Sequence, residues 1–531
     1  MIRSLFPIIF VFTFLALVPP AQSQSFFGKE MTIKEQADLS KILKKHHIFQ
    51  IDAAALVHFV RQSPDQADIH LELGDAINGD FRLFPKDIRS ENYFLTEVTA
   101  EGPVYHPKGK NKTFSGYELN NGGGAVSLTL DTAFIYGFFE TGGVSWFIEP
   151  LWRYIPESQR DLFLVYQSSD VLETENGHCA FNEMNLFVEE EQPLIPSKKS
   201  IEKTAGGCYV VEIAIASDWL LSDFLGGVDN VENFVLGNLN NVQTNFDDEF
   251  NDEIQFELVT QFVSTCSSCD PWNPTTDVYT LLESFRYWGN SGAFGVSFDV
   301  ASLWSNRNFD GSTVGLAWPG TLCATNRYNI LQHYTSNAVN LRVLQAHELG
   351  HNFSALHDEP NSPTIMAPSV STSYQWSPAS LEVINPYIEY IANEFTCLTD
   401  CPAPAPPVAG ILAPVTHVCP GSVVPFINNS SSGINTWSWQ FEGNTPSGST
   451  EKNPVILFES EGSFPVTLAV TNGQSFDVVT LDENIQVDEN GTKYLLYETF
   501  ETPPDQWQVI NPDNNLPWLW YQTAGLPFGR Y

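Results

Sequence analysis

The segment from residue 347 to residue 358 reads HELGHNFSALHD, and it restricts the fold of the surrounding chain more than any other segment. His347 and His351 are four residues apart, so on a helix they share one face with their Cβ atoms about 5–6 Å apart. The preceding residues 336–346 (SNAVNLRVLQA) have helical spacing and predict that this helix begins before the histidines. Two imidazoles at this spacing can supply two ligands of a zinc ion, whose bonds to histidine nitrogen are about 2.0–2.1 Å long.

A third ligand is available in His357, six residues after His351. On a continuing helix, six residues rotate a side chain by about 600°, which would point His357 away from the shared face. The helix must therefore end between the two histidines, with Asn352 and Ser354 as the expected hinge. Three histidines leave a fourth zinc position open for water, as in catalytic sites. Glu348, rotated by about 100° from the histidine face, can reach a zinc-activated water and act as its general base.

A second motif follows the histidines at residues 364–368 (TIMAP). The combined pattern resembles the metzincin zinc endopeptidases, and more narrowly their ADAM and snake-venom adamalysin (reprolysin) branch. In that branch an Asp follows the third His, as Asp358 does here. The Met of its Met-turn lies under the metal, and the next residues form a wall of the S1′ pocket. The resemblance assigns these two roles to Met366 and Pro368.

The resemblance covers about residues 208–401, including residues 299–323 ahead of the active-site helix and the closing helix at 376–397. It implies an α/β catalytic domain with a twisted mixed sheet and an active-site helix. One position departs from the family, because Ser354 stands where the family has Gly. A non-Gly residue with φ > 0 costs about 1–2 kcal/mol, so the turn toward the third ligand is expected to be strained.

The same resemblance implies a structural calcium site near the ends of the catalytic domain. Carried over by position, its ligands are Glu212, Asp299, the carbonyl of Cys397, and Asp400. These groups offer the oxygen atoms that a hard cation such as Ca²⁺ prefers. The alternative is that the acids are ordinary surface residues of a very acidic chain.

The chain has eight cysteines, and their spacing alone does not fix their connectivity. The resemblance implies that Cys323 pairs with Cys397. The C-x-x-C at residues 266–269 has no second pair to complete a zinc ribbon, so a disulfide is the simpler reading. Cys401 is also able to pair with Cys419 across a linker.

The region before the catalytic domain resembles an ADAM-type prodomain over residues 92–195, most clearly at 114–151. Its alternating apolar stretches predict a mostly-β structure. In that family a prodomain Cys thiolate can occupy the open zinc position and keep the enzyme latent. The resemblance makes Cys179 the candidate, with a disulfide to Cys208 as the alternative. It also predicts activation when residues up to about 200 are removed, and 196–207 is a polar segment suited to proteolytic nicking.

Composition and the N-terminal residues indicate the compartment in which the protein works. The 531 residues carry 63 acidic and 25 basic side chains, a formal charge of −38, which argues against nucleic acid as a partner. Arg3, the apolar run 5–18 and small residues beyond it predict a signal peptide over residues 1–23. Fourteen apolar residues are too few for a membrane span of about 20 residues, and no later stretch is apolar enough for one. We therefore expect a secreted protein in which disulfides form.

Domain boundaries follow from composition. A propeptide is expected over residues 24–200 and a catalytic domain over 205–401, where strand-like and helix-like runs alternate as in α/β folds. Residues 402–410 (PAPAPPVAG) form a stiff spacer.

Two segments follow the spacer. Residues 411–488 resemble a PKD domain, an Ig-like β-sandwich often appended to secreted bacterial hydrolases, through WSWQF at 437–441 and GSFPVTL at 462–468. A bacterial source is expected on that ground. Residues 495–531 resemble the opening strands of a jelly-roll and end before completing it, so the sequence is expected to be part of a longer protein.

Together these features predict a secreted zinc endopeptidase that acts on proteins or peptides and is made as a zymogen. The alternative is a catalytically inactive metzincin scaffold that serves extracellular adhesion. An intact Glu348 argues against it, because such a scaffold has no chemical need for that residue. A third reading is a gluzincin-type site with Glu359 or Glu382 as the third ligand, and His357 with the Met-turn argues against it.

Overall fold

The structure is a computed structural model that describes much of the chain between residues 23 and 492. The described ranges are residues 23–33, 39–63, 65–119, 124–172, 177–180, 208–250, 254–395, 397–401, 407–428, 430, 434, 436–444, 446–472, 475–481 and 483–492. Apart from Ser23, the predicted signal peptide lies outside them, as do the predicted nicking segment 196–207 and the jelly-roll-like segment 495–531. Within the described ranges no helix is long and apolar enough to cross a membrane.

The N-terminal unit is mostly β, as predicted. Strand β4 (ADIHLEL) buries every second residue, so its period-two pattern forms one face of the core. Its main sheet has ten described strands in the order β1-β4-β5-β8-β9-β10-β11-β12-β3-β2. The elements are β1 (Gln24–Phe27), β2 (Lys29–Glu30), β3 (His47–Gln50), α1 (Ala53–Gln62), β4 (Ala67–Leu73), β5 (Ile77–Pro85), β6 (Arg89–Thr99), β7 (Gly102–Pro107), β8 (Thr113–Glu118), β9 (Ala125–Asp131), β10 (Phe134–Thr141), β11 (Val144–Pro150), β12 (Leu162–Gln167) and β13 (His178–Cys179).

The catalytic unit alternates strands and helices, as the sequence predicted. Its central strands β14, β15, β16 and β18 run parallel, and β17 runs antiparallel to β18, so the sheet is mixed. The elements are β14 (Tyr209–Ser217), α2 (Trp219–Leu225), α3 (Val228–Glu249), β15 (Ile254–Ser264), α4 (Val278–Asn290), β16 (Val300–Ser305), β17 (Thr313–Ala317), β18 (Tyr328–Gln332), α5 (Ala338–Asn352), α6 (Pro378–Glu394) and β19 (Thr399–Asp400).

The catalytic sheet recruits strands from the N-terminal unit at both of its edges. The order is β13-β17-β18-β16-β14-β15-β6-β7, with β19 paired to β14. The β6–β7 hairpin extends the edge beyond β15, and β13 lies beside β17 at the opposite edge. The sequence did not predict this sharing, because an alternating pattern identifies a strand without naming its neighbour.

Helix α3 lies between the two large sheets, packing on β9 and β10 on one side and on β15 on the other. Its apolar residues join a core that also contains aromatic side chains of the N-terminal unit, such as Tyr136 and Phe138. Gly237 allows this approach, since a Cβ there would stand 2.5 Å from the Tyr136 ring. The active-site helix α5 is also buried along its whole length.

A buried ion pair joins the N-terminal unit to helix α5. Glu149 and Arg153 form a salt bridge, and neither side chain is exposed to solvent. Glu149 Oε1 also accepts hydrogen bonds from the backbone N–H of Ala338, the first residue of α5, and from the Tyr154 hydroxyl, each at 2.9 Å. The Arg153 guanidinium lies 5.3 Å from the ring centre of Phe234 in α3. The N-terminal unit therefore supplies a carboxylate to the positive end of the active-site helix.

The C-terminal unit consists of short strands around a small core. Trp439 and Phe441 of the predicted WSWQF run are buried, as are Val466 and Leu468 of the second run. The strands are β20 (Ile411–Leu412), β21 (His417–Val418), β22 (Ser422–Pro425), β23 (Ile427–Asn428), β24 (Thr436–Phe441), β25 (Gly448–Ser449), β26 (Val455–Phe458), β27 (Gly462–Phe464), β28 (Val466–Thr471), β29 (Phe476–Thr480) and β30 (Ile485–Val487).

Three disulfides connect the catalytic unit. Two of them, Cys323–Cys397 and Cys266–Cys269, follow the predictions. The third joins Cys208 to Cys401, so the pairings considered for Cys401 with Cys419 and for Cys179 with Cys208 are wrong. The physical reason is strand pairing, because β14 and β19 run side by side and place the residues that flank them next to each other. Cys179 and Cys419 remain thiols.

Candidate metal centre

Helix α5 ends between His351 and His357, as the spacing of the histidines predicts. It begins behind Asn337, whose side chain accepts from the backbone N–H of Asn340, and it stops at Asn352. The chain then turns at Ser354, which has a φ of 76°, and the Ser354 N–H donates to the carbonyl of His351 at 2.8 Å. The expected hinge is therefore at Ser354, in the strained region predicted for it. The turn carries His357 back toward the helix.

The three predicted histidines meet at one point. The Nε2 atom of His357 lies 3.1 Å from Nε2 of His347 and 3.3 Å from Nε2 of His351. Tetrahedral bonds of about 2.0–2.1 Å to one ion would hold ligand atoms about 3.3 Å apart. The residues present therefore fit a zinc ion. The gluzincin alternative is wrong in this structure, because His357 takes the third position and both Glu359 and Glu382 are exposed.

Backbone carbonyls fix the orientation of two of these rings. Nδ1 of His347 lies 2.7 Å from the carbonyl oxygen of Ile365, and Nδ1 of His351 lies 2.8 Å from that of Ala355. When these Nδ1 atoms donate, both Nε2 lone pairs face the meeting point. Burial lowers the pKa of His347 to about 4 and that of His357 to about 3, so both rings are neutral near pH 7 and able to bind a cation.

Glu348 lies beside the three imidazoles with its side chain fully buried. Burial raises its pKa to about 8, although a hydrogen bond from the Cys179 thiol acts in the opposite direction. A cation held by the histidines would favour the charged carboxylate. Strand β17 approaches closely here, because a Cβ on Gly315 would lie 2.3 Å from Oε1 of Glu348. Sequence reasoning missed Gly315, since a lone Gly in a strand carries no specific signal.

The TIMAP segment packs under the helix. A Cβ on Gly350 would stand 2.6 Å from the sulfur of Met366, so glycine at that helical position makes room for the buried Met. Asp358 connects this segment to the third histidine through its backbone N–H, which donates to the Met366 carbonyl at 2.9 Å. The Asp358 carboxylate accepts from Thr364 Oγ1 at 2.5 Å and from Ser377 Oγ at 2.6 Å. The residue that follows His357 is thereby anchored both to the TIMAP segment and to Ser377 at the start of α6.

Cys179 reaches the same point from the N-terminal unit. Its Sγ lies 3.5 Å from Nε2 of His351 and 3.6 Å from Oε2 of Glu348. The sulfur and the ligand nitrogens of the three histidines all lie within 4.8 Å of one another. The backbone N–H of Cys179 donates to the carbonyl of Pro368 at 3.1 Å, which places β13 between β17 and the TIMAP segment. Cys179 therefore lies on the face that the three histidines leave open.

The residues assigned to calcium lie at another corner of the catalytic unit. Glu212 and Asp299 exchange hydrogen bonds, with the Glu212 N–H donating to Asp299 Oδ2 and the Asp299 N–H donating to the Glu212 carbonyl, both at 2.8 Å. The Cys323–Cys397 disulfide lies beside them, with the Cys323 sulfur 3.6 Å from Asp299 Oδ1. Asp400 is exposed and lies opposite Tyr209 on β14.

Replacing Ser354 by Gly is expected to stabilise the protein by about 1 kcal/mol, because Gly adopts φ > 0 without a Cβ clash. The exchange also removes a buried hydroxyl with no hydrogen-bond partner. Thermal unfolding monitored by circular dichroism measures the change. The matched control is Asn361→Gly, at an exposed residue with a φ of 66° where Asn already tolerates the conformation. An equal gain in both variants, or a loss at Ser354, would contradict the expected strain.

Comparison with known proteins agrees with this geometry. Residues 209–397 match the family described as metallo-peptidase family M12, in its reprolysin group, and residues 404–487 match the PKD domain. A curated relative is the zinc metalloproteinase-disintegrin-like atrase-A of Naja atra, 25% identical over 336 residues, which are 59% of this chain and 51% of the relative. The chain spans about half the length of that relative. It contains a reprolysin-like metzincin domain followed by a PKD domain, as predicted.

Proposed function

We propose that this chain is the precursor of a zinc-dependent endopeptidase that hydrolyses peptide bonds in proteins. The observation that supports it is the convergence of three imidazole Nε2 atoms, His357 standing 3.1 and 3.3 Å from the other two, beside the buried carboxyl of Glu348. The match of residues 209–397 to a metallopeptidase family supports the same conclusion. An inactive binding scaffold has no comparable observation in its favour.

In this proposal His347, His351 and His357 hold the zinc ion. A bound ion would supply Lewis acidity, which polarises a peptide carbonyl and lowers the pKa of a water molecule. Glu348 accepts the proton of that water and returns it to the leaving amine, and its burial keeps bulk water away from the carboxyl. The backbone carbonyls of Gly315 and Pro368, which now accept from Ala180 and Cys179, are the acceptors that an extended substrate would use in their place.

Latency is the second part of the proposal. Cys179 lies at the open side of the three histidines, and β13 fills the gap between β17 and the residues after Met366. A substrate cannot bind there until this segment leaves. We therefore assign Cys179 as the latency cysteine and expect activity only after residues up to about 200 are removed.

The compartment is the third part. Three disulfides in the catalytic unit are typical of proteins that fold in an oxidising compartment, which supports secretion. We propose that residues 1–23 direct export from a bacterial cell and that residues 495–531 open a further β module.

The test is proteolysis of a denatured protein substrate by the chain before and after the propeptide is removed. Cutting within residues 181–207, followed by separation of the N-terminal fragment in high salt, should yield activity that a chelator abolishes and added zinc restores. One bound zinc per chain with no cleavage by the separated protease would favour the inactive scaffold. Full activity of the uncut chain would refute the latency assigned to Cys179.

We also propose a structural calcium ion at Glu212 and Asp299. Burial, and less so the nearby Glu212 charge, raises the pKa of Asp299 to about 7, against a backbone hydrogen bond that lowers it. Because the folded pKa lies above the unfolded value near 3.8, this group's contribution to stability is complete below about pH 4 and is lost as the pH rises toward 7. Ca²⁺ would bind the ionised form and reverse this loss.

Adding calcium should therefore raise the melting temperature more at pH 7 than at pH 5. Differential scanning fluorimetry with and without calcium measures the effect. Asp299→Asn should remove most of it, and Asp310→Asn, at an exposed acid elsewhere in the domain, should leave it unchanged. A calcium effect that is equal at both pH values, or absent, would contradict the site.

A further inference from the structure

The N-terminal unit holds the catalytic sheet at two separate places. Strand β13, which carries Cys179, pairs with β17 at one edge, and the β6–β7 hairpin pairs with β15 at the other. Between β13 and β6 there are six strand spacings of about 4.8 Å, so these two strands lie about 29 Å apart across the sheet. The hairpin contact is thus independent of the metal centre.

The hairpin is paired to β15 as an integral strand of the sheet. Parallel pairing runs from Leu258↔Arg89 to Ser264↔Val98, with an irregularity between Leu258 and Thr260. Side chains of β15 and its extension add to the ladder, since Thr260 Oγ1 donates to the Phe94 carbonyl at 2.9 Å and Thr265 Oγ1 to the Val98 carbonyl at 3.1 Å. Strand β15 has eleven residues, and the last seven are all buried.

Removal of the hairpin would expose that strand. An uncovered edge of this length, with residues that were buried on both faces, has unpaired N–H and C=O groups and a strong tendency to pair with another chain. Natural sheets cover or shorten such edges. Loss of β6 is therefore costly to the catalytic unit, and the free energy of that exposure favours retention of the hairpin.

Charge complementarity reinforces the same contact. The N-terminal unit contributes basic side chains and helix α3 contributes acidic ones. Lys112 Nζ lies 2.7 Å from Glu232 Oε2 and also donates to Asn233 Oδ1 at 2.7 Å. Arg89, whose side chain is 1% exposed, lies 3.4 Å from Glu232, and a third ion pair of 3.1 Å joins Lys86 to Asp247. Three of the 25 basic residues of the chain therefore pair with acidic side chains of α3 at this one contact.

The α3 face against the N-terminal unit is also rich in Asn. Asn240 Nδ2 donates to the Leu128 carbonyl at 3.2 Å, and Ser127 Oγ donates to Asn241 Oδ1 at 3.0 Å. Water can replace such partners when two surfaces separate, whereas an apolar face would have no substitute. The polar part of this contact can therefore be rehydrated when the surfaces separate, while the apolar core that α3 shares with Tyr136 and Phe138 holds the partner firmly.

We infer that β15 and the polar face of α3 form a second binding surface for the propeptide, and that its hairpin keeps the propeptide bound after the connecting segment is cut. The product of the first cut is a two-chain complex in which β13 still covers the metal centre. Activation then needs a second event that removes the hairpin. This inference rests on the proposed zymogen, and it concerns a contact that Cys179 does not make.

The experiment cuts the full chain within residues 181–207 and analyses the product by size-exclusion chromatography at 0.15 M salt. Parent and Cys179→Ser proteins should both elute as one complex that contains the two fragments. Hydrogen exchange should show the β15 amides still protected in the cut complex. Separation of the parent fragments at this salt, or loss of β15 protection upon cutting, would overturn the inference. Separation in Cys179→Ser alone would assign the binding to the metal centre and also overturn it.

Lys112→Glu supplies the directed variant, because it places a negative charge against Glu232 and Asp131. The cut Lys112→Glu complex should release its propeptide at least tenfold faster than the parent. Lys110→Glu, at an exposed residue of the same loop, is the matched control and should release at the parental rate. Equal release rates in the two variants would contradict the role of α3. A failure of proteolytic activity in the separated protease would refute the proposed enzyme without affecting these binding measurements.

Discussion

Replacing Glu348 by Gln is expected to lower the kcat of the separated protease by a factor of about 10²–10⁴ while zinc remains bound. Gln keeps the size of the side chain that faces Gly315, but it cannot accept a proton. In the parent protein the Glu348 carboxyl is fully buried. Hydrolysis of a fluorogenic peptide gives the rate, and atomic absorption gives the zinc content.

The control for this variant is Glu382→Gln, at an exposed acid of α6 that should change neither quantity. Parental activity in Glu348→Gln would assign the proton transfer to another group. Loss of zinc together with loss of activity would mean that Glu348 shapes the site and that its chemistry is untested by this variant, so Glu348→Asp is measured beside it. Zinc retained with low activity in both variants would support the general base.

Replacing Glu149 by Ala is expected to destabilise the uncut chain by about 3–5 kcal/mol, because it leaves the Arg153 guanidinium charged, buried and unpaired. The backbone N–H of Ala338 would lose its acceptor at the same time. Both ionic side chains are fully buried, so solvent does not screen the loss. Urea unfolding of the full chain measures the change.

Because Glu149 contacts the first residue of α5, its loss should affect the start of that helix most. Hydrogen exchange should increase most in the first turn of α5 and in the segment around Arg153. Glu283→Ala is the control, since that residue is 44% exposed and forms an ion pair of small expected effect with Arg286. A Glu149→Ala protein as stable as the parent would show that the pair is dispensable, as buried pairs sometimes are when their surroundings adjust.

The site was more predictable than the arrangement around it. Histidine spacing and helix geometry fix the end of α5 and the return of His357, because rotation per residue is a constant of the helix. The strained φ of Ser354 was expected from the resemblance, because the family has Gly at this position. Gly315 and Gly350 escaped notice, since their role is to let Glu348 and Met366 approach, and that depends on neighbours distant in the chain.

The sharing of strands between units was outside the reach of sequence patterns. Residues 89–107 have the composition of a strand pair, but nothing local distinguishes pairing with the propeptide sheet from pairing with β15. The Cys208–Cys401 disulfide was missed for a related reason, because it depends on β19 folding back beside β14. A local sequence pattern identifies a strand or a helix. Which strands pair with each other depends on contacts between distant parts of the chain.

The Cys208–Cys401 disulfide makes the catalytic unit a covalent ring. Its two bridged ends have Cα atoms 5.3 Å apart, so the chain enters and leaves at one corner. A peptide of a few residues could join residue 401 to residue 208 without moving any strand. New ends opened at the exposed turn near Gly292 should then give a circular permutant that keeps the pairing of β14 with β15, β16 and β19. Such a rearranged domain could be inserted into a loop of another host protein as a single cassette.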